Sequence, residues 1–292
     1  MRDCMRTLKP TGSRNGAVFL VAVLFLAVLS PLRAADPVLK YPLAVAASPE
    51  GVIYIADLKL PGLWKYSGGQ LTVFHQASSR LRTPLNAIRC LAVDNQGVVY
   101  AGDSATREIY RLEGEESAMP LTSGRIGVPS ALAIRGSTLF VADLEAQRIW
   151  QVSTAGGEPI EMARVAGVRG LATGENNTLY YVSTRADQVG RIDQAGGNTA
   201  LLAGKPFLFP HQIAILKNSM YVTDNYANAL WEFPADGSVA PRKFVGGAPL
   251  VKPVGLCVQG DKLLIADPHA RDVFVVTHSG EIQSLLASVP GE

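Results

Sequence analysis

Six stretches of the chain repeat one pattern of apolar and polar positions. A short apolar run, rich in β-branched and aromatic side chains, ends at Asp57, Asp103, Asp143, Ser183, Asp224 and Asp267. Three positions before each end stands Tyr54, Tyr100, Phe140, Tyr180, Tyr221 or Leu264. Seven positions after it stands Trp64, Tyr110, Trp150, Gly190, Trp231 or Phe274. Such runs predict strands. Ahead of each lies a second short run of small aliphatic residues, at 43–47, 90–93, 131–134, 170–173, 212–215 and 255–258. Turn residues separate the two, as in Ser48-Pro49-Glu50-Gly51 and Asp94-Asn95-Gln96-Gly97. Glycine turns then lead out of the aromatic-bearing strand, as in Ser67-Gly68-Gly69 and Ala155-Gly156-Gly157. Beyond residue 34 no apolar stripe has a helical period.

The unit recurs every 40 to 46 residues, the length of one four-stranded propeller blade. The predicted fold is therefore all-β: a six-bladed β-propeller of four-stranded antiparallel blades. A single twisted sheet cannot bury both faces, whereas blades packed radially can. The small aliphatic run is the innermost strand, where strands crowd around an axis. The aromatics are filler between blades, so Trp150 and Trp231 are expected to be largely buried. The repeated Asp residues are expected to accept hydrogen bonds from N–H groups of the adjoining loop, with Ser183 standing in as an acceptor. One carboxylate per blade around a ring does not converge on a single ion, and no metal site or other cofactor is predicted. Residues 42–74 supply four strands for the first blade and 254–285 four for the last. The ring is expected to close by packing, with Val38-Leu39-Lys40 as a candidate for an added strand.

The first 34 residues differ in kind. Arg2, Arg6, Lys9 and Arg14 precede an unbroken apolar run at 17–29, broken by Ser30-Pro31. This is the pattern of a secretory signal peptide, too short to span a bilayer, with cleavage near Ala34. Residues 35–292 are then one domain, exported to a periplasmic or extracellular space, with no stable membrane insertion after cleavage. The leader holds five of the 27 basic residues and one of the 25 acidic ones, leaving 22 against 24 and a formal net charge of −2. That excludes nucleic acid as an obvious partner, since phosphate binding needs concentrated Lys and Arg. Cys90 and Cys257 fall in inner strands of blades separated by another blade, and are expected to be unpaired. Asn176-Asn177-Thr178 fits a glycosylation sequon.

These residues resemble NHL-repeat propellers. The family pattern of an apolar strand ending in Val/Ile-Ala-Asp is present as Ile55-Ala56-Asp57, Val141-Ala142-Asp143 and Ile265-Ala266-Asp267, with Val222-Thr223-Asp224 as a variant. The resemblance covers residues 42–288. It implies that the loop entering each inner strand and the loop after each Asp share one face, around the mouth of the central channel, and that this face carries the site. The positions nearest the axis are then Leu43, Arg89, Ser130, Arg169, His211 and Val254. The second loops add Lys59, Arg107, Glu145, Arg185, Asp187, Asn225, Tyr226, Asn228, His269 and Arg271.

Arg89, Arg169 and His211 stand where other blades carry aliphatic or small residues. Two readings follow. The trio binds an anion, or each Arg pairs with a neighbouring carboxylate such as Glu145 or Asp187 and staples blades. The candidate ligand-binding residues are Arg89, Arg169, His211, Asn225, Tyr226, His269 and Arg271. The expected function is a monomeric binding module for a small anionic ligand or a protein partner. An enzyme at the same mouth is the alternative, of the gluconolactonase or lyase type. Against a lactonase, the family's cation-cage carboxylates are missing from the six axial positions. Against a zinc lyase, only His211 and His269 are near the channel, and a zinc site needs three protein ligands. A streptogramin-lyase-like activity would use those two histidines as acid and base.

Overall fold

The computed structural model describes residues 38–60, 62–114, 117–175 and 177–288. The expected leader and Asn176 of the sequon lie outside the described residues. Six four-stranded antiparallel sheets form a ring, each built from consecutive strands of the chain. The innermost strands are Pro42–Ala47, Ile88–Val93, Pro129–Arg135, Val168–Thr173, Pro210–Leu216 and Gly255–Gln259. Each packs against the innermost strands of both neighbouring blades, and the last returns to the first. Among the described residues the one helical element is a short 3-10 turn at Leu286–Ser288. Among the described residues no helix is long and apolar enough to cross a membrane.

Small residues on the inner strands are a requirement of crowding. A Cβ on Gly170 would fall 2.7 Å from the Gln212 Cα, and one on Gly255 would fall 2.9 Å from the Leu43 carbonyl oxygen. Real Cβ atoms do not approach that closely, so neighbouring inner strands set the side-chain size at these two positions.

The aromatics pack where the repeat places them, as large–small pairs across strands. Ile55 faces Trp64, Ala101 faces Tyr110, Val141 faces Trp150, Val222 faces Trp231 and Ile265 faces Phe274. Blade 4 reverses the pair: Tyr181 faces Gly190, and a Cβ on Gly190 would overlap the Tyr181 ring. The missing aromatic is thus supplied from the other strand. Trp64 is buried, and Trp150 and Trp231, expected to be largely buried, are partly buried against their clusters. Arg148 and Lys243 lie over their outer ring faces, at 5.4 and 5.6 Å, where a neighbouring blade would otherwise cover them.

Among the described residues no strand is exchanged at the closure. Leu39 is fully buried among Val45, Ile55, Leu264, Val273 and Leu285, joining blades 1 and 6 as an apolar plug rather than as a strand. Gln259 Nε2 adds a hydrogen bond to the Gly51 carbonyl (2.9 Å). Cys90 and Cys257 are both free, and burial pushes both thiols up.

The repeated Asp is a clamp. Asp143 accepts the Gly127 and Val128 N–H groups from the loop before the inner strand (2.8 and 3.1 Å). It also accepts those of Glu145 and Ala146 from the loop after the second strand (3.1 and 3.0 Å). Asp224 holds Leu208, Phe209, Tyr226 and Ala227 in the same way, and Asp267 holds Val251, Lys252, His269 and Ala270. Asp57 and Asp103 repeat the arrangement. Ser183 stands in as an acceptor only in part: it is as buried as the aspartates and accepts one N–H of the adjoining loop, from Arg185 at 3.3 Å.

Two outcomes follow from the clamp. Asp267→Ala strands four N–H groups and should lose about 2–4 kcal/mol in urea titrations, whereas Ser183→Ala should lose under about 1 kcal/mol. Equal losses would contradict the clamp. Asp143 also predicts acid behaviour. Burial acts to raise its pKa, but the N–H groups of Ala146 and Gly127, the Trp150 indole and the Val128 N–H outweigh it and hold the carboxyl below its ordinary value. Such a group adds stability above its unfolded pKa of about 3.9, and that stability is lost as pH falls through the folded value. Asp143→Asn should flatten the stability profile below about pH 4.

Candidate functional site

The inner strands do not run evenly to the channel mouth. In five blades the register against the second strand slips just as the strand begins: between Pro42 and Ala44, Ile88 and Cys90, Pro129 and Ala131, Val168 and Gly170, and Pro210 and Ile213. The residues left without a partner are Leu43, Arg89, Ser130, Arg169, and His211 with Gln212. A bulge of this kind re-aims the unpaired side chain. Here it turns these residues toward the axis, on the face where the Asp clamps hold the loops.

Those residues share one cavity of about 70 Å³. Arg89, Arg169 and His211 all line it, with Ser130, Gln212 and Leu43. Deeper in, the channel is walled by Val45, Leu91 and Leu256. The result is a small polar mouth above an aliphatic throat.

Neither arginine at the mouth has a carboxylate partner among the described residues. Arg89 Nε donates to Ser104 Oγ (2.9 Å), whose hydroxyl in turn reaches the Ala87 carbonyl. The Arg169 guanidinium lies over the Phe209 ring, 5.1 Å from its centroid, and its buried Nε makes no hydrogen bond. The carboxylates expected to staple these arginines are engaged elsewhere: Glu145 pairs with Arg107 (2.8 Å), and Asp187 accepts the Gly204 N–H (2.8 Å). Burial lowers the Arg169 pKa, and the Arg89 charge lowers it further. Two like charges therefore face one small space without an internal counter-ion.

His211 is set apart from them. Burial, then the Arg169 charge, lowers its pKa to about 4, with Asp224 opposing. The ring is neutral at pH 7, leaving the mouth's positive charge to the two arginines. Its ring lies 5.3 Å from Phe209, which stacks on Tyr226 at 4.8 Å. Gln212 is occupied: its Oε1 accepts the Leu171 and Ile213 N–H groups, both at 3.0 Å, and ties blades 4 and 5 together.

The other candidates lie outside the cavity lining. Tyr226 is 60% exposed on the rim and touches the mouth through Phe209. His269 is 6.0 Å from Tyr41 on the far rim. Asn225 uses its N–H on the Phe209 carbonyl (3.0 Å), and Arg271 is an exposed turn residue with a positive φ of 58°. Sequence reasoning passed over Phe209, the platform joining Arg169, His211 and Tyr226. Its position directly before Pro210 was the available signal. Among the described residues, no three His, Cys, Asp or Glu side chains are grouped to hold a metal ion.

No protein-family model matches the chain, and no curated protein matches it in sequence. Solved structures do match in fold. A gluconolactonase from Xanthomonas campestris superposes with a TM-score of 0.66 at 14% identity, over 84% of this chain and 86% of that one. A streptogramin B lyase gives 0.62 at 17%, over 86% and 84%. A chain of a nidogen/laminin complex gives 0.63 at 18%, over 81% and 89%. At these identities the likeness shows the six-bladed fold alone; its hosts are enzymes and a binding protein.

The low pKa of His211 generates a prediction. An NMR titration of its ring should place the transition near 4, and Arg169→Ala should move it upward. Between the ordinary value of 6.5 and about 4, the unfolded chain takes up the proton first. Falling pH therefore withdraws stability across that window and then levels off. Arg169→Ala should narrow the window. A His211 titration near 6.5 in the parent protein would show that the ring is solvated and outside the cavity.

Proposed function

We propose that the protein is an exported, monomeric binding module that takes a small anion, a carboxylate or phosphate, at the channel mouth. One observation carries this reading: Arg89 and Arg169 converge on a cavity with no carboxylate between them. Guanidiniums held this way repel until an anion arrives, and each offers paired N–H donors to flat oxyanions. The unbonded Arg169 Nε is one such donor. The aliphatic throat excludes water behind the ligand and strengthens the attraction. Neutral His211 adds a hydrogen-bonding group without a third charge. A hard cation has no comparable set of oxygen donors at this mouth.

His211 supports a second reading, an enzyme of the lyase or lactonase type at the same mouth. A neutral imidazole beside two guanidiniums places a proton acceptor next to groups that stabilise a developing oxyanion.

Calorimetry with small carboxylates and with phosphate tests the binding reading. The Arg89→Ala, Arg169→Ala double variant should lose at least about 100-fold in affinity, since charged hydrogen bonds contribute about 1.5–3 kcal/mol each. Its melting temperature should stay within about 3 °C of the parent, because removal of the pair relieves repulsion. Loss of stability with no anion binding in the parent would return the pair to a structural role. If the mouth is catalytic, His211→Ala should abolish turnover while anion affinity survives.

A further inference from the structure

Blade 4 lacks the carboxylate that the other five blades supply from their own side chain, and carries Ser183 in its place. In blades 1, 2, 3 and 5, residues one and two or three places ahead of the inner strand donate N–H groups to the repeated Asp, and in blade 6 those three and four places ahead do so. Backbone groups two and three places after the Asp do the same in four of them; in blade 2 the Ala105 N–H and Thr106 hydroxyl fill these places. The equivalent residues in blade 4 are Ala166 and Gly167 ahead, and Arg185 and Ala186 behind. The loop is closed as elsewhere: the Thr184 N–H donates to the Gly167 carbonyl at 3.0 Å, as Leu144 does to Val128 at 2.9 Å and Asn225 to Phe209 at 3.0 Å.

What is missing is the carboxylate. Ser183 accepts the Arg185 N–H and nothing more. The Ala166, Gly167 and Ala186 N–H groups have no acceptor among the described residues, and the Ser183 hydroxyl proton has none either, although Ser183 is only 2% exposed. A cavity of about 270 Å³ opens at this point, lined by Arg164, Ala166, Ser183, Arg185, Ala186 and Asp187. Arg185 has no carboxylate partner among the described residues. Arg164 shares Glu161 with Arg148, at 2.8 and 3.2 Å. The negative lining group, Asp187, is engaged by the Gly204 N–H.

We propose that this cavity binds the carboxylate of a small organic acid, in the place that the Asp carboxylate holds in the other five blades. The five filled cradles define the shape of the guest. They present donors to both oxygens of a flat two-oxygen group: in blade 3, Gly127 binds one Asp143 oxygen, and Val128, Glu145 and Ala146 the other. Arg185 supplies a positive charge beside the guest. The site shares no residue with the channel mouth, so it stands or falls independently of the binding module proposed there.

Thermal melts in sodium acetate against sodium chloride of equal ionic strength test the proposal. Acetate should raise the melting temperature of the parent by roughly 1–3 °C more than chloride does. Ser183→Asp should melt above the parent in chloride and lose the acetate increment, because its own carboxylate occupies the cradle. Acetate taken up at the channel mouth contributes equally to both proteins and cancels in the difference. An acetate increment that survives Ser183→Asp would overturn the proposal, as would a phosphate increment that Ser183→Asp removes to the same extent, which would mark a general anion effect at the cradle. If Ser183→Asp fails to fold, Arg185→Ala decides: its side chain is exposed, and it should reduce the increment if the cradle binds acetate. An unchanged increment in that variant would overturn the site.

Discussion

A buried carboxylate that gathers four N–H groups from two loops is the interaction on which this propeller depends. Loops at the end of a sheet carry backbone donors that strands no longer satisfy, and buried donors without partners are costly. In five blades the Asp at the end of the second strand meets that demand from inside the fold. Because the clamp joins the loop before the inner strand to the loop after the second strand, it fixes the upper rim of each blade as one rigid piece. The carboxylate thus acts as scaffold.

The mouth chemistry rests on this rim. Bulges in five blades leave Leu43, Arg89, Ser130, Arg169, and His211 with Gln212 unpaired at the start of the inner strand. Where that residue is Leu43, the position is inert. Where it is Arg89 or Arg169, the same backbone geometry aims a charge into a space of about 70 Å³. The desolvation that lowers the Arg169 and His211 pKa values follows from the same placement. A group turned inward on a narrow ring loses water whether or not it gains a partner.

Blade 4 shows how far the repeat tolerates change. The exchange of Tyr181 for the missing aromatic opposite Gly190 is conservative in volume: one ring occupies one slot from either strand. The exchange of Asp for Ser183 is not conservative in hydrogen bonding, because a hydroxyl offers less reach and no charge. The first change keeps the blade packed, and the second leaves donors facing a cavity.

The sequence alone determined the six blades and their strand order, because a fixed interval from Asp to aromatic is a local consequence of strand length and pleat; the face around the channel mouth was implied by the resemblance to NHL-repeat propellers. It placed Arg89, Arg169 and His211 at equivalent positions for the same reason. It could not determine whether the arginines were stapled, since that depends on where Glu145 and Asp187 point. Nor could it show the bulge that aims them, the Phe209 platform, the Leu39 plug or the incomplete burial of Trp150 and Trp231. Each of these is decided by contacts between residues far apart along the chain. That Ser183 replaces an Asp only in part belongs with them: its residue type is legible, but the distance from its hydroxyl to the opposite loop exists only once the blade is folded.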